Sequence, residues 1–215
     1  MIAILAGPLA DPQFLSKRVQ TFAAHSPLII GVDGGVAPLS QLGITIHLRV
    51  GDWDSLGTVP SEPRVDLKKD KDQSDFAVAL AEASARGATK IVCIGFQNGR
   101  FDHFLSNIFE SFRLLERLPA AGSICFESEE ESDYLLDSRH PLWKKSLPSK
   151  TLASIFSFSE KTKIEEMSGF QYEMKDEWLE PSSRGLSNQN IGQHSTIKIS
   201  SGKLLIHILD QSTQV

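Results

Sequence analysis

Aspartates are the residues in this sequence whose spacing points most directly to chemistry. Asp52 and Asp54 alternate within Gly51-Asp52-Trp53-Asp54-Ser55, so in an extended segment both carboxylates face the same side. A second acidic group follows in Asp70-Lys71-Asp72-Gln73-Ser74-Asp75. Carboxylates about 4 Å apart repel by about 1 kcal/mol in water and several-fold more near a protein surface, so a cleft that gathers them needs a cation. Hard oxygen donors suit Mg2+, which takes one or two carboxylates and completes its shell with water and substrate phosphates. The plainer reading of the same residues is a turn at Asp54-Ser55 and a helix cap at Ser74 or Asp75.

Two glycine-bearing segments add to this. Asp33-Gly34-Gly35 follows an apolar run, and so does Gly95-Phe96-Gln97-Asn98-Gly99-Arg100-Phe101-Asp102-His103. Glycine at a strand-to-helix junction lets the backbone approach a phosphate and leaves N–H groups pointing outward. Arg100 either forks onto a phosphate or forms a salt bridge to Asp102 or a neighbouring acid. His103 has no nucleophile elbow to serve and reads as structural. There is no Gly-x-x-x-x-Gly-Lys-Ser/Thr run and no Gly-x-Gly-x-x-Gly, which excludes a P-loop and a dinucleotide fingerprint. Farther on, Arg184-Gly185-Leu186-Ser187-Asn188 forms a small polar turn, with the aromatics Tyr172 and Trp178 upstream.

The elements that must position these residues fall into two groups. In the first half, apolar runs at Ile2–Ala6, Leu28–Val32, 44–50 and 91–94 alternate with helix-period segments. One helix is marked by Phe14, Leu15, Val19, Phe22 and Ala23, a second by Phe76, Ala79, Leu80 and Ala83. A third carries Phe104, Ile108, Phe109, Phe112 and Leu115 on one stripe. This is the pattern of an α/β domain, a mostly parallel sheet with helices on both faces. In such a sheet ligands bind at the carboxyl ends of the strands, where the polar clusters lie. After Pro119 short runs at 124–126, 134–136, 154–158, 170–174, 196–200 and 204–209 predict a C-terminal all-β sandwich, with a hairpin turn at Ser201-Gly202-Lys203. The expected domains are 1–119 and 120–215.

The bulk composition narrows the classes. With 40% hydrophobic and 23% charged residues, the 215-residue chain has the makings of a folded core. A net charge of -5 with scattered Lys and Arg argues against nucleic acid as a partner. No segment reads as a membrane span or leader. Cys93 and Cys125 read as small buried hydrophobes, consistent with a reducing, cytoplasmic setting.

Taken in order, Asp33-Gly34-Gly35, Gly51-Asp52-Trp53-Asp54-Ser55, Asp70-x-Asp72-x-Ser74-Asp75, Gly99-Arg100-x-Asp102-His103 and Ser106-Asn107 resemble the ordered motifs of thiamine pyrophosphokinases. Gly169-Phe170-Gln171-Tyr172, Gly185-Leu186-Ser187-Asn188 and Gly202-Lys203-Leu204-Leu205 resemble that family's C-terminal pattern. The resemblance implies ATP as diphosphate donor, Mg2+, thiamine as acceptor, AMP as product, and a homodimer with active sites at the interface. It implies that Asp52, Asp54 and Asp75 hold Mg2+ with Asp72 adjacent. On chemical grounds one of these aspartates, Asp72 or Asp75, is the expected acceptor of the hydroxyl proton. Asp33, Gly34, Gly35, Arg100 and Asp102 would line the nucleotide. Ser187 and Asn188 would meet thiamine, with Tyr172 nearby. The chain departs from the pattern at Val36-Ala37-Pro38, where Asn is frequent, at Asn98 for Gly, Ser74 for Thr and Trp53 for Phe. A pyrophosphokinase for another hydroxymethyl heterocycle, such as a pterin, and a non-catalytic nucleotide- or thiamine-binding module are the rival readings.

Overall fold

Short apolar strands build the first part of the protein. The computed structural model describes residues 1–53, 63–67, 72–192 and 194–209, in two units, Met1–Ser128 and Glu129–Val215. In the first unit, β1 (Ile2–Ala6), β2 (Leu28–Val32), β3 (Leu48–Gly51), β4 (Arg64–Asp66), β5 (Lys90–Ile94) and β6 (Ser123–Glu127) lie in the order β6-β5-β1-β2-β3-β4. Every pairing among them is parallel.

Among the described residues four α-helices cover this sheet: α1 (Pro12–Phe22), α2 (Val36–Gln41), α3 (Asp75–Ala85) and α4 (Phe101–Leu115). Leu15 of α1 and Val36 and Leu39 of α2 pack with Ile4, Ala6, Ile29, Val92 and Ile94 on one face. Cys125 leans on that face, so its neighbour Phe126 points to the other. There Phe76 of α3 stacks on Phe126 at 5.7 Å between ring centroids, and Phe104 of α4 meets it edge-on at 5.5 Å. Two helix starts are capped as their sequences suggest. Asp11 Oδ1 accepts from the Phe14 N–H at 2.8 Å with Pro12 next in line, and Ser74 Oγ accepts from the Ala77 N–H at 3.2 Å; each cap is worth about 1 kcal/mol.

The second unit is a sandwich of two antiparallel sheets. Its strands are β7 (Glu131–Asp137), β8 (Leu142–Lys145), β9 (Leu152–Ser157), β10 (Thr162–Ser168), β11 (Met174–Leu179), β12 (Asn188–Gln189), β13 (Ser195–Ser201) and β14 (Lys203–Leu209). One sheet runs β12-β9-β14-β7 and the other β11-β10-β13-β8. Leu136, Ile155 and Ile206 from the first interleave with Trp143, Ile164 and Ile197 from the second, and Phe170 is sealed among them.

The fold class agrees with the sequence pattern, while several local expectations shift. The run 124–126 is strand β6 of the parallel sheet, paired with β5, so the first unit reaches Ser128 and not 119. Strand β3 begins only at Leu48, and the short α2 and β4 carried no visible periodicity. In 170–174 only Phe170 bridges, to Asn190, and Met174 opens β11. The Ser201-Gly202-Lys203 turn does not close a hairpin: β13 and β14 belong to different sheets, and the chain crosses the sandwich there. Among the described residues no helix is long and apolar enough to cross a membrane.

Candidate active site

The carboxyl ends of β2 and β3 lie side by side because Val32 pairs with Val50. The residues that follow, Asp33 and Asp52, are therefore neighbours across the edge of the sheet. Helix α3 packs on β2 and β3 and brings Asp75, the first residue after its Ser74 cap, to the same place. Asp33, Asp52 and Asp75 are half-buried, and each offers one carboxylate oxygen lying within 4.8 Å of the other two. Ser74 takes the capping role, so Asp75 is not the cap; its position in the first helical turn suits a negative charge.

Two backbone conformations hold this edge. Asp33 has φ 48° and Trp53 φ 65°, both in the left-handed region, where a residue with a Cβ pays roughly 1–3 kcal/mol. The Trp53 indole is buried against the α1/α2 core, and its Nε1–H donates to Asp66 Oδ1 at 2.7 Å. Arg64 Nε donates to the same oxygen at 2.8 Å. The Asp66 carboxyl is held below its ordinary range, first by the Trp53 hydrogen bond and then by Arg64. Gly51 passes 3.2 Å beneath the indole, measured from where its Cβ would stand. Asp52 is thus fixed between a glycine and a pinned tryptophan. Sequence reasoning did not single out Arg64 or Asp66.

The glycines of this edge serve the backbone. A Cβ on Gly35 would stand 2.0 Å from the Ala6 carbonyl oxygen, and one on Gly95 2.1 Å from the Ala10 nitrogen. The chain ends of β1, β2 and β5 approach closer than any side chain permits. Gly34 and Gly35 form a single 3-10 turn with Asp33. The β1 turn, where Gly7 N–H donates to the Ile94 carbonyl at 2.7 Å, was not anticipated as part of this edge.

The other expected site residues are placed as follows. Asp72 is exposed and stands outside the three-carboxylate group. Asp54 lies outside the described residues. Arg100 and Asp102 form a two-pronged ion pair, with Nη2–Oδ2 at 2.6 Å and Nε–Oδ1 at 3.1 Å, on side chains 71% and 64% exposed. The Arg100 hydrogen bond keeps the Asp102 carboxyl below its usual range. Of the two roles open to Arg100 from sequence, the ion pair is therefore formed. In the second unit Tyr172 is exposed, Asn188 is buried, and Ser187 adopts φ 53°. Asn188 Oδ1 accepts from the Tyr172 N–H at 3.0 Å, and its Nδ2 donates to the Tyr172 carbonyl at 2.6 Å. The Ser187 N–H donates to Ser154 Oγ at 2.9 Å.

The first unit is an open parallel sheet with three carboxylates grouped at its carboxyl edge, an arrangement that could hold a metal ion, and the second is a β-sandwich. Residues 19–120 match the family described as thiamin pyrophosphokinase, catalytic domain. The thiamine pyrophosphokinase of Bacillus subtilis (strain 168) is 33% identical over 115 residues, covering 50% of this chain and 52% of that protein; the match thus spans about half the length of this relative. The chain shares its whole fold with solved thiamin pyrophosphokinases. That of Bacillus subtilis superposes with a TM-score of 0.79 at 24% identity, over 97% of this chain and 98% of the other. That of Candida albicans gives 0.76 at 15% identity, over 97% and 88%. Residues 19–120 thus resemble the catalytic domain of thiamine pyrophosphokinases, and the chain as a whole has the fold of the solved ones.

Proposed function

We propose that this chain is a Mg2+-dependent thiamine pyrophosphokinase that transfers the diphosphate group of ATP to the hydroxyl of thiamine, giving thiamine diphosphate and AMP. One observation carries the reading: Asp33, Asp52 and Asp75 converge at the sheet edge of a segment that matches the family's catalytic domain. An all-oxygen, all-anionic donor set suits a hard cation such as Mg2+. Asp33, which the resemblance places beside the nucleotide, joins Asp52 and Asp75 as a ligand; Asp54, the further carboxylate that the resemblance implies, lies outside the described residues. When bound there, the cation offsets the charge of the polyphosphate.

The protein's own contribution is positioning. Asp33, fixed by its left-handed backbone, and Asp52, fixed by Trp53, present oxygens that need no rearrangement on binding. Gly34 and Gly35 line the nucleotide with backbone N–H groups, and Arg100 swings from Asp102 to the phosphates. The acceptor oxygen forms a bond to the β-phosphorus of ATP while the bond from that phosphorus to the α–β bridging oxygen breaks and AMP leaves. The acceptor's proton passes to a carboxylate of the Asp72-to-Asp75 segment. Tyr172 and Ser187 recognise thiamine. Exposed Tyr172, Trp178 and Leu186 on the second unit support a homodimer with active sites at its interface. Neither cysteine is in a disulfide, which suits the cytoplasm.

The test is AMP release from ATP with thiamine, with a hydroxymethyl pterin, and without acceptor, each with and without Mg2+. AMP formed with thiamine and Mg2+ alone is the expected result. AMP formed with the pterin instead overturns the acceptor, and ligand binding with no AMP overturns the enzyme reading.

A further inference from the structure

We propose that Ser154 and Asn188 are positioning residues of the acceptor site, fixing the backbone from which Tyr172 and Ser187 meet a flat heteroaromatic acceptor. The proposal rests on the thiamine reading above and adds to it which residues touch the acceptor and which act through others.

Tyr172 is 66% exposed, so its ring adds little to the core. Its backbone is nonetheless held at both polar groups by one side chain. The Asn188 carboxamide accepts from the Tyr172 N–H and donates to the Tyr172 carbonyl. Only one orientation of the amide satisfies both partners, so its assignment follows from the chemistry. The preceding Gln171 N–H donates to the Gln189 carbonyl at 2.8 Å, which ties the same turn to β12 a second time. Asn188 is 4% exposed, and both ends of its amide are engaged. A side chain so placed does not meet a ligand; it fixes the residue that does.

Ser187, next in the chain, sits at φ 53° without being glycine. Local strain of this kind persists only where the surroundings over-determine it. The surroundings here are the Ser154 hydroxyl, buried on β9, which accepts the Ser187 N–H, and the pairing of Asn188 with Ala153 beside it. One buried bracket therefore fixes the backbone that carries an exposed aromatic ring and a hydroxyl. An aromatic residue and a hydroxyl residue on an anchored backbone suit a flat, polar heteroaromatic ring, and an anchored backbone lowers the ordering cost of binding. Neither Ser154 nor Asn188 has a chemical part in the transfer.

The experiment compares wild type with Asn188→Ala, Ser154→Ala and Ser154→Thr in steady-state kinetics, alongside hydrogen exchange at the Tyr172 and Ser187 amides. We expect Asn188→Ala to raise the KM for thiamine roughly ten-fold or more, and Ser154→Ala roughly three- to ten-fold, with kcat and the KM for ATP within about two-fold. Ser154→Thr, which keeps the hydroxyl, recovers most of the loss. Exchange quickens at Tyr172 in Asn188→Ala and at Ser187 in Ser154→Ala, while the rest of the chain stays protected. A thiamine KM like that of wild type in either alanine variant, equal increases in both KM values, or no recovery with threonine overturns the proposal. If Asn188→Ala does not fold, the two Ser154 variants decide. Failure of the underlying reading looks different: the wild-type protein itself releases no AMP with thiamine, and that result removes both.

Discussion

Replacing Asp33 by asparagine separates the electrostatic cost of the acidic cluster from its use. Asparagine is isosteric and tolerates the left-handed region as aspartate does, so φ 48° is preserved. Two unit charges at 4.8 Å, the upper limit of the separations here, repel by about 1 kcal/mol in bulk water and about 3.5 kcal/mol at an effective dielectric constant of about 20. Asp33 takes part in two of the three pairs, so its charge carries about 2–7 kcal/mol of gross repulsion. The separation is shorter than the Debye length of about 8 Å, so physiological salt leaves much of it in place. The groups are half-buried, and side-chain relaxation reduces the net gain from Asp33→Asn to about 1–2 kcal/mol. In a chain of this length that raises the melting temperature by about 2–8 °C. The assay is calorimetric unfolding in EDTA and again in saturating MgCl2. In EDTA the variant should melt above wild type. In Mg2+ the order should reverse, because a cation at 100 times its Kd stabilises the wild type by about 2.7 kcal/mol and the variant by less. A variant no more stable than wild type in EDTA, with an undiminished response to Mg2+, would refute the reasoning.

Three further outcomes follow from the same structure. Gly35→Ala places a Cβ 2.0 Å from the Ala6 carbonyl oxygen and should destabilise the first unit by at least about 3 kcal/mol, read by urea unfolding. Arg100→Ala loses an ion pair on exposed side chains; thermal stability should stay unchanged while the KM for ATP rises roughly ten-fold. His207 donates to Asp133 at 2.9 Å and lies 3.8 Å from Glu131. The Asp133 hydrogen bond raises the His207 pKa above its ordinary value, and burial raises that of Glu131. A raised histidine pKa gives stability that is fully present below about pH 6.5 and lost as pH rises through the folded value; Glu131 acts in the same direction at lower pH. Wild type should therefore exceed His207→Gln in stability at pH 5.5 by more than at pH 8.5, as measured by chemical denaturation.

The sequence was most readable where burial imposes a pattern. Ile2–Ala6, Leu28–Val32 and 91–94 are apolar throughout because helices cover both faces of their sheet. The three-residue β4 carries no such signal. Pro119 resembles a domain break because a loop from α4 to β6 uses the same kind of residue as a linker, and only the pairing of β6 with β5 tells them apart. The apolar alternation of Phe170, Tyr172 and Met174 suggested a strand. The Tyr172 backbone instead bonds to a side chain, Asn188, which no local pattern reveals. Likewise a tight turn at Gly202 serves a hairpin or a crossing between sheets equally well. At the site, Asp52 and Asp75 stood out by spacing. Asp33 was read as a phosphate turn because its place beside Asp52 depends on the register of Val32 with Val50, a long-range fact.

The most direct measurement is diffraction from crystals grown with Mn2+ and a non-hydrolysable ATP analogue, using the anomalous signal of the metal. The account predicts a peak about 2.0–2.3 Å from carboxylate oxygens of Asp33, Asp52 and Asp75, with phosphate oxygens completing its shell. A metal bound elsewhere with the nucleotide, and these three carboxylates turned away from it, would contradict the account.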